Sequence, residues 1–228
     1  MADLMKPSAP VPEPPVKAKA MEAAKAEALN VAKENTGDEA FRRQLRRSLL
    51  AQRRTLSADD CAHASALICA HLREHFPQLA VCCVGFCWPM NHEPDVRAAL
   101  AEWAQSAAPG FLAALPVVAE VAKPLLFRAW QPGETMFARD CHGIPYPASG
   151  ALVHPDALLI PCAAVDAAGY RLGYGGGYFD RTLAARSPRP LAIGVAYAFA
   201  CVDSVRPQLH DEPLDALVTE AGVTYFAS

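Results

Sequence analysis

The segment Arg171-Leu-Gly-Tyr-Gly-Gly-Gly-Tyr-Phe-Asp180-Arg181 has four glycines within positions 173–177, set between aromatic and charged residues. Glycine loses more backbone entropy on folding than any other residue, so such a run suits a chain that adopts positive φ or lets a ligand approach closely. Gly173, Gly175, Gly176 and Gly177 can turn successive N–H groups toward an anion. A helix over Tyr178–Arg186 would add the positive end of its dipole. The pattern is neither dinucleotide fingerprint nor P-loop: Tyr178 stands where the former needs glycine, and no Gly-Lys-Ser/Thr follows. A tight strand-to-helix connection is the plainer alternative, but Arg171, Asp180 and Arg181 bring charge to the same turn.

Three other clusters could share a site with this loop. Arg42, Arg43, Arg46, Arg47, Arg53 and Arg54 occur with no acidic residue among them. Arg42, Arg46 and Arg53 fall near one helical stripe; guanidinium groups suit phosphate oxygens bidentately, although such a stripe ordinarily marks a solvated face. Trp88-Pro-Met-Asn-His-Glu93-Pro-Asp95 follows an apolar run. There Glu93 can accept from a polar heterocycle while Trp88 covers its face, and Asp95 reads as a helix cap. Asp180 and Asp211, in Leu209-His-Asp-Glu-Pro-Leu-Asp215, could jointly hold Mg²⁺ through oxygen ligands, and equally fit helix or turn caps.

The elements that must position these clusters follow from periodicity. Residues 1–37, with five prolines by position 15, offer no consistent apolar face and predict a disordered or partly helical extension. A single domain is expected over 38–228. Phe41, Leu45 and Leu49 predict a helix to about Arg54, and Ser57-Ala-Asp-Asp60 a capping box opening a second helix to His75. Strands are predicted over Leu79–Trp88, Phe111–Leu115, Leu125–Trp130, Ala157–Pro161, Leu191–Tyr197 and Ala216–Thr219, with helices over Asp95–Gln105 and Tyr178–Arg186. That alternation predicts an α/β fold of three layers, α/β/α, around a mostly parallel or mixed open sheet, with ligands at the carboxyl ends of its strands.

Composition narrows the classes. The chain has 228 residues, 52% hydrophobic, and a net charge of −3, which gives bulk nucleic-acid binding no support. The longest apolar run, Leu79–Met90, is too short for a bilayer span. No export signal is apparent, and a cytoplasmic monomer is expected. The eight cysteines sit mostly in apolar segments, never as C-x-x-C, and read as reduced core residues. His71 and His75 share a helical face and read as part of an exposed amphipathic helix.

Together, Pro161-Cys-Ala-Ala-Val-Asp-Ala-Ala-Gly-Tyr-Arg-Leu-Gly-Tyr-Gly-Gly-Gly-Tyr-Phe-Asp-Arg181, the basic helix Phe41–Arg54, the Pro89–Glu93 turn and the stretch Asp211–Glu220 resemble the 5-formyltetrahydrofolate cyclo-ligase family over about residues 39–228. The resemblance implies an enzyme dependent on ATP and Mg²⁺ that converts a small-molecule folate, 5-formyltetrahydrofolate, to 5,10-methenyltetrahydrofolate with ADP and phosphate. By position, it implies that Arg42 and Arg46 contact ATP phosphates. Arg171, Leu172, Gly173, Tyr174, Gly175, Gly176, Gly177, Tyr178 and Phe179 would wrap the nucleotide. Asp180 and Asp211 would hold the metal, and Trp88 and Glu93 the pterin, with Tyr178 near the folate. Arg171, Asp180 and Glu93 would carry catalysis, with no covalent nucleophile.

The chain departs from that pattern in places. Arg42 stands where relatives often have lysine, and Gly143-Ile-Pro-Tyr146-Pro147 lacks a glutamate that many have before the last proline. Tyr174 and Gly176 replace basic residues of some relatives, so this loop would rely on backbone amides and on Arg171 or Arg181. Two other classes fit the same residues: a non-catalytic module binding a nucleotide or RNA, and an ATP-dependent ligase for another formylated heterocycle.

Overall fold

The computed structural model describes residues 37–227 except 107–109, 135, 137, 141 and 142, so nearly all of the expected N-terminal extension lies outside the described residues. The chain divides into two compact units, Met1–Phe41 and Arg42–Ser228. Of the first, only 37–41 are described, and they are helical.

The elements run in chain order as follows. Helix α1 covers 37–53. Helix α2 (Ala58–His75) leads through a 3₁₀ turn, Pro77–Val81, to strand β1 (Cys83–Phe86) and helix α3 (Arg97–Gln105). Strands β2 (Leu112–Val117), β3 (Leu126–Trp130), β4 (Ala138–Arg139), β5 (Pro145–Tyr146), β6 (Leu152–Val153), β7 (Ala157–Pro161), β8 (Ala164–Asp166) and β9 (Arg171–Leu172) precede helix α4 (Tyr178–Ala184). Strands β10 (Leu191–Val195), β11 (Cys201–Val202), β12 (Ala216–Thr219) and β13 (Gly222–Tyr225) complete the chain.

Eight strands form one sheet in the order β13-β12-β10-β7-β1-β2-β3-β6. Its middle, β12 to β2, is parallel, while β13, β3 and β6 pair antiparallel. A parallel sheet is covered on both faces, and the side-chain period of two divides each strand between them. Ala157 and Leu159 join Ile193 and Val195 in a core closed by Ile68 and Leu72 of α2 and by Leu100 and Trp103 of α3. Leu158 and Ile160 point the other way, joining Ala192, Leu217 and Leu183 of α4. These are the three expected layers.

Helix α2 begins where its capping box predicts. The Ser57 hydroxyl accepts from the Asp60 amide, and the Asp60 carboxylate accepts from the Ser57 amide in return. The expected strand Leu79–Trp88 is shorter, because its first half is the 3₁₀ turn. Pro77 opens that turn, Leu79 is buried and Val81 is 52% exposed, so the segment has no sheet partner on which to alternate. Asp95 is not helical as expected; its carboxylate accepts from the Arg97 amide at 3.0 Å, capping α3 from just outside. The strands missing from the sequence reading, β4, β5, β6, β8, β9, β11 and β13, have two to four residues, too few for a period to register.

Candidate functional site

A cavity of about 360 Å³ opens at the carboxyl ends of β1, β2 and β7, lined there by Cys87, Trp88, Pro116, Val118, Ile160 and Pro161. That is where an open parallel sheet places ligands. The same cavity is lined by Glu93, Arg171, Gly173, Tyr174, Gly176, Gly177, Tyr178, Phe179 and Asp180, so it brings together most of the residues singled out from sequence. Arg42, Arg46, Leu172, Gly175 and Asp211 lie outside its lining.

The glycine loop runs from β9 to α4. Gly175 (φ 98°) and Gly177 (φ 60°) take left-handed backbone, and Gly177 is the residue on which α4 starts. The other two glycines adopt conformations open to any residue. Arginines tie the loop down from two sides: Arg46 Nε donates to the Gly173 carbonyl and Arg181 Nη2 to that of Gly176, both at 2.6 Å. Arg181 also lies over the Tyr178 ring, 5.1 Å from its centroid. Leu172 is fully buried with Leu49, Ala164 and Val205, so its side chain serves the core and only its backbone could meet a nucleotide.

The arginine stripe is not a solvated face. Arg42, Arg46, Leu49 and Arg53 recur at 42, 46, 49 and 53 on the inner side of α1, while Arg43, Arg47 and Arg54 are exposed. Burial, and then the neighbouring Arg42 guanidinium, push the Arg46 pKa below its ordinary value. Arg42 instead grips Asp211 with both terminal nitrogens, at 2.6 and 3.3 Å. Arg171, 5% exposed, donates to Asp180 at 2.8 Å and to the Glu212 carbonyl.

Asp180 and Asp211 approach one turn, because Asp180 Oδ1 also accepts from the Glu212 amide at 3.1 Å. Hard oxygen donors converging on one turn fit a Mg²⁺ site in ligand type, and loading it would exchange carboxylate–arginine contacts for carboxylate–metal ones. Among the described residues a group of three possible metal ligands lies elsewhere: His71, Glu74 and His75 on α2, their ligand atoms within 4.8 Å of one another. His75 is exposed, as expected, whereas His71 is half-buried.

On the other side of the cavity, Trp88 packs edge-on against Trp130 at 6.2 Å, and the Arg97 guanidinium covers one indole face at 4.3 Å. Arg97 is held in turn by Asp95 at 2.6 Å. Residues Asn91 (φ 49°) and His92 (φ 61°) are both left-handed, an uncommon pairing without glycine. Their turn delivers Glu93, whose side chain is 9% exposed and accepts from the Met90 amide at 2.9 Å. Burial raises the Glu93 pKa above the usual carboxylate range, opposed by hydrogen bonds from Tyr174 and Met90 and by the Arg53 charge.

Sequence reasoning placed Arg53 on the stripe without giving it a site role, yet it lines the cavity and is 6% exposed. Asp140 and Ile144 also line the cavity and were not singled out. The departure at Tyr146 falls in β5, outside the lining. No described helix is long and apolar enough to cross a membrane.

Residues 38–220 match the model of the 5-formyltetrahydrofolate cyclo-ligase family. The chain is 38% identical over 69 residues to the 5-formyltetrahydrofolate cyclo-ligase of Escherichia coli, covering 30% of this chain and 38% of that one. It is 29% identical over 101 residues to the enzyme of the same name from Mycolicibacterium smegmatis, covering 42% and 51%. These matches therefore span about half of the curated relatives' length or less. The fold extends further: the solved Aquifex aeolicus 5,10-methenyltetrahydrofolate synthetase superimposes with a TM-score of 0.69 at 27% identity, over 82% of this chain and 94% of that one.

Proposed function

The chain belongs to the 5-formyltetrahydrofolate cyclo-ligase family, and from that premise we propose that it converts 5-formyltetrahydrofolate to 5,10-methenyltetrahydrofolate, consuming ATP and releasing ADP and phosphate. The observation that carries the reading is one cavity at the strand ends lined both by a glycine loop with a buried Arg171 paired to a half-buried Asp180 and by Trp88 beside Glu93, whose side chain is 9% exposed.

The chemistry asks little covalent work of the protein. The formyl oxygen is a poor leaving group until the γ-phosphoryl group is transferred to it and ADP departs. The neighbouring secondary amine then attacks the formyl carbon, loses its proton, and expels phosphate as the ring closes. Phosphoryl transfer of this kind depends on positioning and charge neutralisation. Glycine-loop amides, with Arg42, Arg46 and Arg171, would hold the triphosphate. Asp180 and Asp211 would hold Mg²⁺, which when bound neutralises phosphate charge. Glu93 would accept from the pterin's N–H donors, with the indole of Trp88 against the ring, fixing the formyl group toward the γ-phosphate. Tyr178, at the start of α4, would lie between the two ligands.

The test is purified protein with 5-formyltetrahydrofolate, Mg²⁺ and ATP, following methenyl-folate absorbance and ADP together. Product that appears only with ATP, matched by ADP, supports the proposal. ADP without methenyl product would favour a ligase for another formylated heterocycle, and neither product from folded protein would overturn the activity.

A further inference from the structure

The guanidinium of Arg53, a residue 6% exposed at the end of α1, touches three residues of two segments. Its Nε donates to the Asn91 carbonyl at 3.1 Å, its Nη1 to the Tyr174 hydroxyl at 2.8 Å, and its Nη2 lies 3.7 Å from Glu93 Oε1. We propose that Arg53 is a positioning residue: its planar fork pins the left-handed Asn91-His92 turn to the glycine loop and so fixes the Glu93 carboxylate for the heterocycle, an inference that rests on the folate reading above.

Strain supplies the first argument. A non-glycine residue in the left-handed region is strained, less so for Asn and His than for other types, and two in succession persist when their surroundings hold them there. Asn91 and His92 are consecutive, and each carbonyl is held from a different element, Asn91 by Arg53 and His92 by the Tyr197 hydroxyl at 3.0 Å. Glu93 is the next residue, so any relaxation of the turn moves its carboxylate. Geometry supplies the second. The guanidinium fork addresses a carbonyl, a hydroxyl and, at 3.7 Å, a carboxylate at once, with a fixed geometry that a lysine ammonium lacks. Electrostatics supplies the third, because Arg53 is the cation against a carboxylate whose burial disfavours its charge.

The groups around Glu93 make the inference readable by pH. Arg53 faces it from α1 and Tyr174 from the loop, while Cys87 and Cys162 stand behind. Burial of the Tyr174 hydroxyl, on a residue otherwise 45% exposed, and of both thiols pushes all three up, Cys162 to about 12. Arg54, Asp140 and the Arg171–Asp180 pair complete the charged lining. With the cation removed the carboxyl pKa rises further. Glu93 accepts pterin donors best when ionised, so folate use is lost as pH falls through that raised pKa and kept above it.

The experiment measures ADP release against folate concentration at saturating MgATP, from pH 6 to 9, for wild type, Arg53→Met, Arg53→Lys and Arg53→Met/Glu93→Gln. In Arg53→Met the acidic midpoint of kcat/KM for folate moves up by at least about one pH unit, and the value falls about tenfold per unit below it. The midpoint is absent in the double variant. In Arg53→Lys, whose charge remains, the midpoint stays at the wild-type value while folate KM rises severalfold and ATP KM does not. Should Arg53→Met fail to fold, that KM split carries the test. An unmoved midpoint in Arg53→Met, or equal losses toward folate and ATP in Arg53→Lys, would overturn the positioning role. A wild-type protein that releases no folate-dependent ADP overturns the underlying folate reading instead.

Discussion

Two segments with left-handed backbone line one cavity, and they are built differently. In the glycine loop the positions with positive φ are Gly175 and Gly177, where such a conformation is nearly free. In the turn before Glu93 they are Asn91 and His92, each carrying strain that Arg53 and Tyr197 hold in place. The charges differ in the same sense. Around the loop, Arg171–Asp180 and Arg42–Asp211 are close pairs that an incoming polyanion and its cation would have to exchange. At the turn, Glu93 is fixed by a backbone amide and a buried cation. On the proposed function, the loop side would have to exchange its ion pairs to admit a ligand, whereas the turn side already holds its carboxylate in place.

Substitutions on the two sides should therefore fail in different ways. The largest effect is expected from Asp180→Ala, which removes a carboxylate that orders both Arg171 and the 208–212 turn. Its kcat should fall by about 100-fold or more, read as ADP release at saturating substrates, with thermal melting as the check on folding. A near-normal rate would break the assignment of the loop side to phosphate chemistry. Glu93→Gln should act on the opposite side, raising folate KM by about tenfold while ATP KM stays within about twofold. If both KM values rose together, the division between the loop side and the turn side would fail.

A smaller, sharper test is Gly177→Ala. Its Cβ would sit 2.9 Å from Arg181 Nη1 in a left-handed conformation, a strain of about 1 kcal/mol. ATP KM should rise severalfold and folate KM should not, in initial-rate titrations of each substrate. The smallest effect belongs to Ser57→Ala, away from both sides, which removes the α2 capping box. It should cost about 1 kcal/mol of stability in denaturant melts and leave both KM values unchanged.

How much was legible in the sequence depends on how local each signal is. The capping box and the short apolar run Ala157–Pro161 are encoded within five residues and appear as read. The glycine run announced positive φ, though not that only two of its four members would use it. Leu79–Trp88 misled because an apolar run cannot distinguish a strand from a buried 3₁₀ turn, a choice settled by whether a neighbouring strand is present to pair. The arginine stripe is the opposite case. Periodicity aligned Arg42, Arg46 and Arg53, yet only tertiary packing shows that this side of α1 faces inward, with Leu49 between the arginines. Asn91 and His92 are types that tolerate left-handed backbone, a weak local signal, but the partners that hold them there lie 38 and 105 residues away.

The edge-on pair of Trp88 and Trp130 gives the molecule an optical handle of its own. The three tryptophans sit in distinct surroundings: Trp103 packs on Phe111, Trp130 is buried behind Phe86, and Trp88 alone borders the cavity. With Arg97 over one indole face, a ring entering the cavity as proposed would meet the remaining surface of Trp88 and should change its emission, while Trp103 provides a steady background. Titrating each ligand against intrinsic fluorescence therefore reports occupancy of the turn side without turnover, and Trp88→Phe removes the signal's source.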